Sequence, residues 1–268
     1  MKLEDVPRFA ANRRTFLRGA GITGIGIASA AVLGSKFGMS EQKVSAASYS
    51  DADILNFALN LEYLEAEFYL MATYGTTLVK YGVLTEAETS GATTGGSMVK
   101  NFGSSPQATI ASALRENEVA HVKYLRAALG SDAVKKPAIN LDALGYGFAN
   151  VDSWLKLARQ FEDVGLSAYL GAAPLISSST YLAAAAAILG TEAQHSGSIR
   201  LACIMNAVSS PAVDSLDVPP TSSMPYDVNA DALCIPRTTS QVLKIVYGGG
   251  QNSGGFYPDG MNGAISST

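Results

Sequence analysis

The chain contains two histidines, and each stands three residues after a glutamate, as Glu118-x-x-His121 and Glu192-x-x-His195. Glutamate fills 11 of the 268 positions, so chance would place it before both histidines roughly once in 600, and chance can be set aside. Three helical residues advance a side chain by about 300°, so both members of each pair project from one face. That face is apolar: Ala111, Leu114, Leu125 and Ala128 flank the first pair, and Ala185, Ile188 and Ile199 flank the second. A carboxylate buried among such residues costs several kcal/mol unless a cation or strong donor faces it, and no Lys or Arg occupies those stripes. The chain must therefore pack helices around a polar centre that something positive balances.

Periodicity supplies the helices. The first is expected over about 51–74, with Leu55, Ala58, Leu59, Ala66 and Tyr69 on one face and Phe57, Leu61, Leu64, Phe68 and Met71 beside it. The second runs over about 106–129 and closes at Gly130; the third spans 151–171 before Pro174; the fourth spans 180–206 before Pro211. Four such helices around one core make an all-α four-helix bundle. A Gly-, Thr- and Ser-rich stretch of about thirty residues, 75–105, separates the first two helices. It is too long for a simple turn, and could cover one end of the bundle or reach a neighbouring subunit in a homo-oligomer. After residue 206 the chain turns Pro- and Ser-rich, then offers a short apolar run, 241–247, and a Gly-rich end, which reads as an extended arm or small hairpin. Ala183 to Ala187 forms a thin helix surface that permits close helix approach.

The first and third helices each add a carboxylate on the inner stripe. Glu62 is in line with Leu55 and Leu59, and Glu162 with Leu155 and Ala158. Each has a tyrosine seven residues on, Tyr69 and Tyr169, expected to pack and hydrogen-bond to a neighbouring carboxylate. The order Glu, Glu-x-x-His, Glu, Glu-x-x-His describes a duplicated helix pair in which Glu62 matches Glu162 and Glu118 matches Glu192. Four carboxylates and two neutral imidazoles suit two divalent ions, and oxygen-rich ligands favour iron or manganese over copper.

The first 47 residues read as an address. Arg13-Arg14-Thr15-Phe16-Leu17-Arg18 precedes a moderately apolar stretch, 19–34, short for a membrane-spanning helix, and this resembles a twin-arginine export signal, a disordered basic leader or uncleaved anchor being the alternative. Cleavage beside Ser45, Ala46 and Ala47 would leave no membrane anchor and deliver the protein to the periplasm or the cell exterior. The leader carries seven of the 19 basic and three of the 23 acidic residues, so without it the formal charge falls from -4 to -8. Such a surface repels phosphate backbones and argues against nucleic acid as a partner. Cys203 and Cys234 could form one disulfide after export, tying the tail to the bundle, or stay as two buried thiols. With no Cys-x-x-Cys pair, a rubredoxin-type centre or zinc ribbon is excluded.

These residues and their helix order resemble the ferritin-like di-iron carboxylate superfamily, which includes bacterioferritin, rubrerythrin and manganese catalase. The string from Ile54 to Tyr69, ILNFALNLEYLEAEFY, with the later Pro-Asp-Gly-Met-Asn-Gly motif, looks closer still to exported ferritin-like and desiccation-related proteins. The resemblance implies a ferritin-like bundle over 48–206 and an arm over 207–268. It implies a metal-ligand role for Glu62, Glu118, His121, Glu162, Glu192 and His195, two iron or manganese ions as cofactor, and oxygen or peroxide as reactant. Glu65 has no counterpart in the third helix, where Gly165 stands; it would support the ligands or serve as an alternative first-helix ligand. Glu65 and Glu67 otherwise read as a solvated or subunit-facing edge. A non-enzymatic protective protein with a structural metal site is the competing class.

Overall fold

A computed structural model describes residues 49–102 and 106–268. The leader, its twin-arginine string and its cleavage site lie outside the described residues. Among the described residues there are five α-helices: α1 (Asp51–Tyr74), α2 (Pro106–Leu129), α3 (Val151–Ala172), α4 (Ser179–Met205) and α5 (Thr239–Val246). The first four form the bundle. Helix α1 packs along α2 and α3 along α4, and the two pairs meet where α1 touches α3 and α2 touches α4.

Local chemistry sets the helix ends. Ser50 and Asp53 form a reciprocal capping box at the start of α1, and Gly75 ends it with φ of 62°, the left-handed conformation that closes a helix. Asn150 caps α3 through the Ser153 amide at 2.8 Å, and Ser178 caps α4. Helix α1 is buried on nearly every side, Ile54 through Leu70 without interruption. One face meets the bundle; the other lies under residues 75–102, the 133–148 segment and the C-terminal arm.

That long loop folds against the bundle. A two-residue strand within it, β1 (Thr93–Thr94), pairs in parallel with β2 (Ile139–Asn140), and the Val99 amide donates to the Ala72 carbonyl. Two carboxylates that an edge reading would leave solvated are buried, Glu65 inside the bundle at 4% exposure and Glu67 fully enclosed beneath this cover. Glu67 accepts from the Leu78 amide at 3.2 Å and faces the buried Lys136 ammonium at 3.9 Å, so the loop supplies what solvent would have.

The C-terminal arm is latched on both sides of the bundle. Against α1, Asn60 and Asn262 exchange side-chain to backbone hydrogen bonds, and the Tyr257 hydroxyl donates to the Asn60 carbonyl at 2.7 Å. Against α3 and α4, Arg159 grips Asp217 and Ser210, while Arg200 grips Asp163 and the Val218 and Pro225 carbonyls. Gly171 is required here, because a Cβ would fall 1.9 Å from the Arg237 carbonyl oxygen. Residues 241–246 are helical, not a hairpin, with Tyr247 as the C-cap: Thr238 and Gln241 form a capping box, and Val242, Leu243 and Val246 share the buried face. Cys203 and Cys234 are both free. Cys203 is sealed inside the bundle with its thiol against the Leu155 carbonyl, whereas Cys234 lies exposed on the arm, so the disulfide reading is corrected.

Candidate metal centre

The bundle brings all six expected ligands together. Glu62, Glu118, His121 and Glu192 form one group and Glu118, Glu162, Glu192 and His195 a second, the chosen ligand atoms of each lying within 4.8 Å of one another. Glu118 and Glu192 belong to both groups. The two Glu-x-x-His helices thus contribute the shared carboxylates, while α1 and α3 each add a carboxylate to one end. His121 Nδ1 lies 3.2 Å from Glu62 and from Glu118 and 3.3 Å from Glu192. His195 Nδ1 lies 2.9 Å from Glu118 and 3.3 Å from Glu162.

The surroundings hold these groups rigidly. Tyr69 of α1 donates to Glu162 of α3, and Tyr169 of α3 donates to Glu62 of α1. Both hydroxyls are held well above their ordinary pKa, first by burial and then by the carboxylates they meet, so they stay donors. Glu65 stands beside the cluster, opposite Gly165: a Cβ there would lie 2.8 Å from Glu65 Oε1 and 3.4 Å from Glu192 Oε2. The missing side chain of α3 is the space that the extra carboxylate of α1 occupies.

Five carboxylates in so small a volume cannot all carry charge. Burial and the charge of Glu118 push Glu62 up to about 7 and Glu192 well above the usual range, while burial and then Glu192 do the same to Glu65. Burial also raises Glu162. Burial would raise Glu118 too, but the hydrogen bonds of His121 and His195 outweigh it and hold it at about 2. The histidines are driven the other way against their own burial. The carboxylates lift His195 to about 11, and His121 is raised as well.

The residues fit a pair of divalent ions on a test internal to the structure. Glu192 Oε2 and His195 Nε2 are buried with no hydrogen-bond partner, and Glu118 Oε1, Glu162 Oε2, Glu192 Oε1 and His195 Nδ1 only crowd one another or His121, at 2.9 to 3.8 Å. Unpaired buried acceptors of this density are costly in an otherwise well-satisfied core, and cations are what relieve them.

A four-helix bundle with Glu, Glu-x-x-His, Glu, Glu-x-x-His converging on one buried centre has the architecture of a ferritin-like protein. The chain belongs to the ferritin-like domain family, whose match spans residues 50–204. It is similar to the ferritin-like catalase Nec2 of Nesocodon mauritianus, 25% identical over 269 positions that cover 81% of this chain and 85% of that protein.

Proposed function

We propose that Glu62, Glu118, His121, Glu162, Glu192 and His195 hold two iron or manganese ions, and that the protein removes peroxide as part of stress protection outside the cytoplasm. Residues 1–47 would direct twin-arginine export, 48–206 would carry the centre, and 207–268 would brace it. One observation carries the reading: two four-ligand groups that share Glu118 and Glu192, each completed by its own carboxylate and imidazole. The printed name of the Nesocodon relative, a ferritin-like catalase, supports the choice of peroxide.

An ion pair of this kind supplies a two-electron couple, enough to balance 2 H2O2 → 2 H2O + O2. The chain's own groups set the conditions. Glu118 and Glu192, which belong to both groups, would offset the mutual repulsion of two cations held there. Tyr69 and Tyr169 fix the outer carboxylates of Glu162 and Glu62, so neither swings away from its own end. His121 and His195 present Nδ1 to the carboxylates, which sets the ring orientation. Burial, and after it the charge of Glu192, raise the Glu65 carboxyl well above the usual range and favour its neutral form, which could give a proton to a reactant from the gap opposite Gly165.

Metal analysis of the purified protein, followed by an oxygen-electrode assay with hydrogen peroxide, tests this reading. About two iron or manganese ions per chain with peroxide-dependent oxygen release is the expected result. A folded protein without metal overturns the centre; a fully loaded protein inert to peroxide overturns the reaction and leaves a structural metal protein.

A further inference from the structure

Helix α4 carries three acidic or basic side chains, Glu192, His195 and Arg200, and all three turn inward and are buried. Its outer face is uncharged for 27 residues, about 40 Å of helix. Along it run Leu182, Ala186, Gly190, Ala193, Gly197 and Leu201, exposed or half-exposed, with Leu182 and Leu201 38% and 54% accessible. Apart from Thr191, Gln194 and Ser198, this outer side is as apolar or small as the inner one, the pattern of a helix packed on both sides. Among the described residues, nothing lies within 4 Å of a Cβ built on Gly190 or Gly197.

The stripe is symmetric about its own middle. Leu182 and Leu201, Ala186 and Gly197, and Gly190 and Ala193 are each equidistant from the point between Thr191 and Glu192. Turned end over end, the face superposes on itself, with large residues outside and small ones within. An isologous contact about a twofold axis has this requirement, since the patch must complement its own copy. Small residues at the centre let the two helix axes approach to about 8 Å, no charge is desolvated on closure, and the exposed Gln194 already donates to the Gly190 carbonyl at 3.2 Å. Helix α2 extends the surface on the His121 side with Ala120, Tyr124 and Ala128, all exposed. A face about 40 Å long and about 10 Å wide, with the shorter α2 patch beside it, presents roughly 500 Å², near the low end of what a specific dimer buries per partner.

We propose that the outer faces of α4 and α2 bind a second copy of this chain, with α4 packed antiparallel to its partner's α4 about an axis level with Glu192. The same contact covers the seam between α2 and α4, where the His121 and His195 side chains keep 11% and 9% of their accessibility. The pairing does not depend on the centre holding metal.

Sedimentation of the full-length chain at micromolar concentration is the test, and the mass of two chains is expected. Gly190→Arg should raise the dimer dissociation constant by about 100-fold or more, because two cations would face an apolar contact with no partner. Arginine favours a helix over glycine and open space surrounds the site, so the melting curve at monomer concentrations should be unchanged or higher. A Gly190→Cys, Ala193→Cys double variant made with Cys234→Ser should form covalent dimers on mild oxidation, each cysteine meeting the other's partner. A wild-type monomer would overturn the proposal. So would an assembly of any size indifferent to Gly190→Arg, or a monomer whose α4 is protected from hydrogen exchange by its own chain.

Discussion

Tyr69 on α1 donates its hydroxyl to Glu162 on α3, and the relation is returned by Tyr169 on α3, which donates to Glu62 on α1. Each tyrosine sits seven residues after the glutamate of its own helix yet serves the glutamate of the other. The duplicated helix pair is therefore crossed at the centre, and each end of the site is steadied by the helix that supplies the opposite end.

This crossing predicts a one-sided defect. Tyr69→Phe removes the donor to Glu162 and should weaken the ion at the Glu162–His195 end by about 10- to 100-fold, leaving the Glu62–His121 end close to wild type. Tyr169→Phe should do the reverse. Chelator competition on the loaded protein would resolve one weakened and one unchanged ion; equal weakening of both would contradict the crossed arrangement. The metal-free variants should lose about 1 kcal/mol or less, because the unpaired carboxylate can keep a proton.

Sharing predicts a stoichiometry that depends on which ligand is lost. Glu118 and Glu192 belong to both groups, so Glu118→Ala or Glu192→Ala should empty the whole centre. His121→Ala and Glu62→Ala touch one group and should leave about one ion per chain. Metal analysis of the four purified variants decides it, with circular dichroism to establish that each is folded. One ion retained in Glu118→Ala would mean that the carboxylate is not shared.

The sequence went far toward the centre because its logic is local. A glutamate three residues before a histidine, on an apolar helical face, announces itself without tertiary information, and so do caps such as Ser50 with Asp53. Which carboxylates are shared was not legible, since that depends on how four helices are rotated about one another. Glu67 misled for a related reason: its burial is made by Leu78 and Lys136 of distant loops. The latch between Asn60 and Asn262 spans most of the chain and has no periodic signature. Residues 241–246 could have been read as helix, because Thr238 and Gln241 carry a capping-box spacing.

Gly165 should not tolerate a side chain while Glu65 is present. Alanine gains about 1 kcal/mol over glycine in a helix, but its Cβ would stand 2.8 Å from Glu65 Oε1, closer than real Cβ contacts allow. Glu65 would have to move among carboxylates that have little room, and we expect a net loss of about 1–3 kcal/mol with reduced metal content. Adding Glu65→Ala should restore stability, with a coupling of about 1 kcal/mol or more in the double-variant cycle. Independent, additive effects would show that the two residues do not share the space.

Asp227 offers a test of pH dependence away from the centre. Burial, and after it the charge of Asp163, push its carboxyl up to about 6 from an ordinary 3.8, despite Arg200 and Arg237 nearby, and its Oδ1 has no hydrogen-bond partner. Between these values the folded chain holds a proton that the unfolded chain has lost, so this group's contribution to stability falls as pH rises from about 4 to 6 and is level beyond. Asp227→Asn removes the charge that is costly to bury. It should match the wild type near pH 4 and be more stable at pH 7 and above by about 1–2 kcal/mol, after allowing for partial solvent screening. Urea unfolding at both ends of that range measures the difference, and a variant gain that grew toward low pH would reverse the assignment, since it would mean that Asp227 stabilises the fold as an anion paired with Arg200 or Arg237.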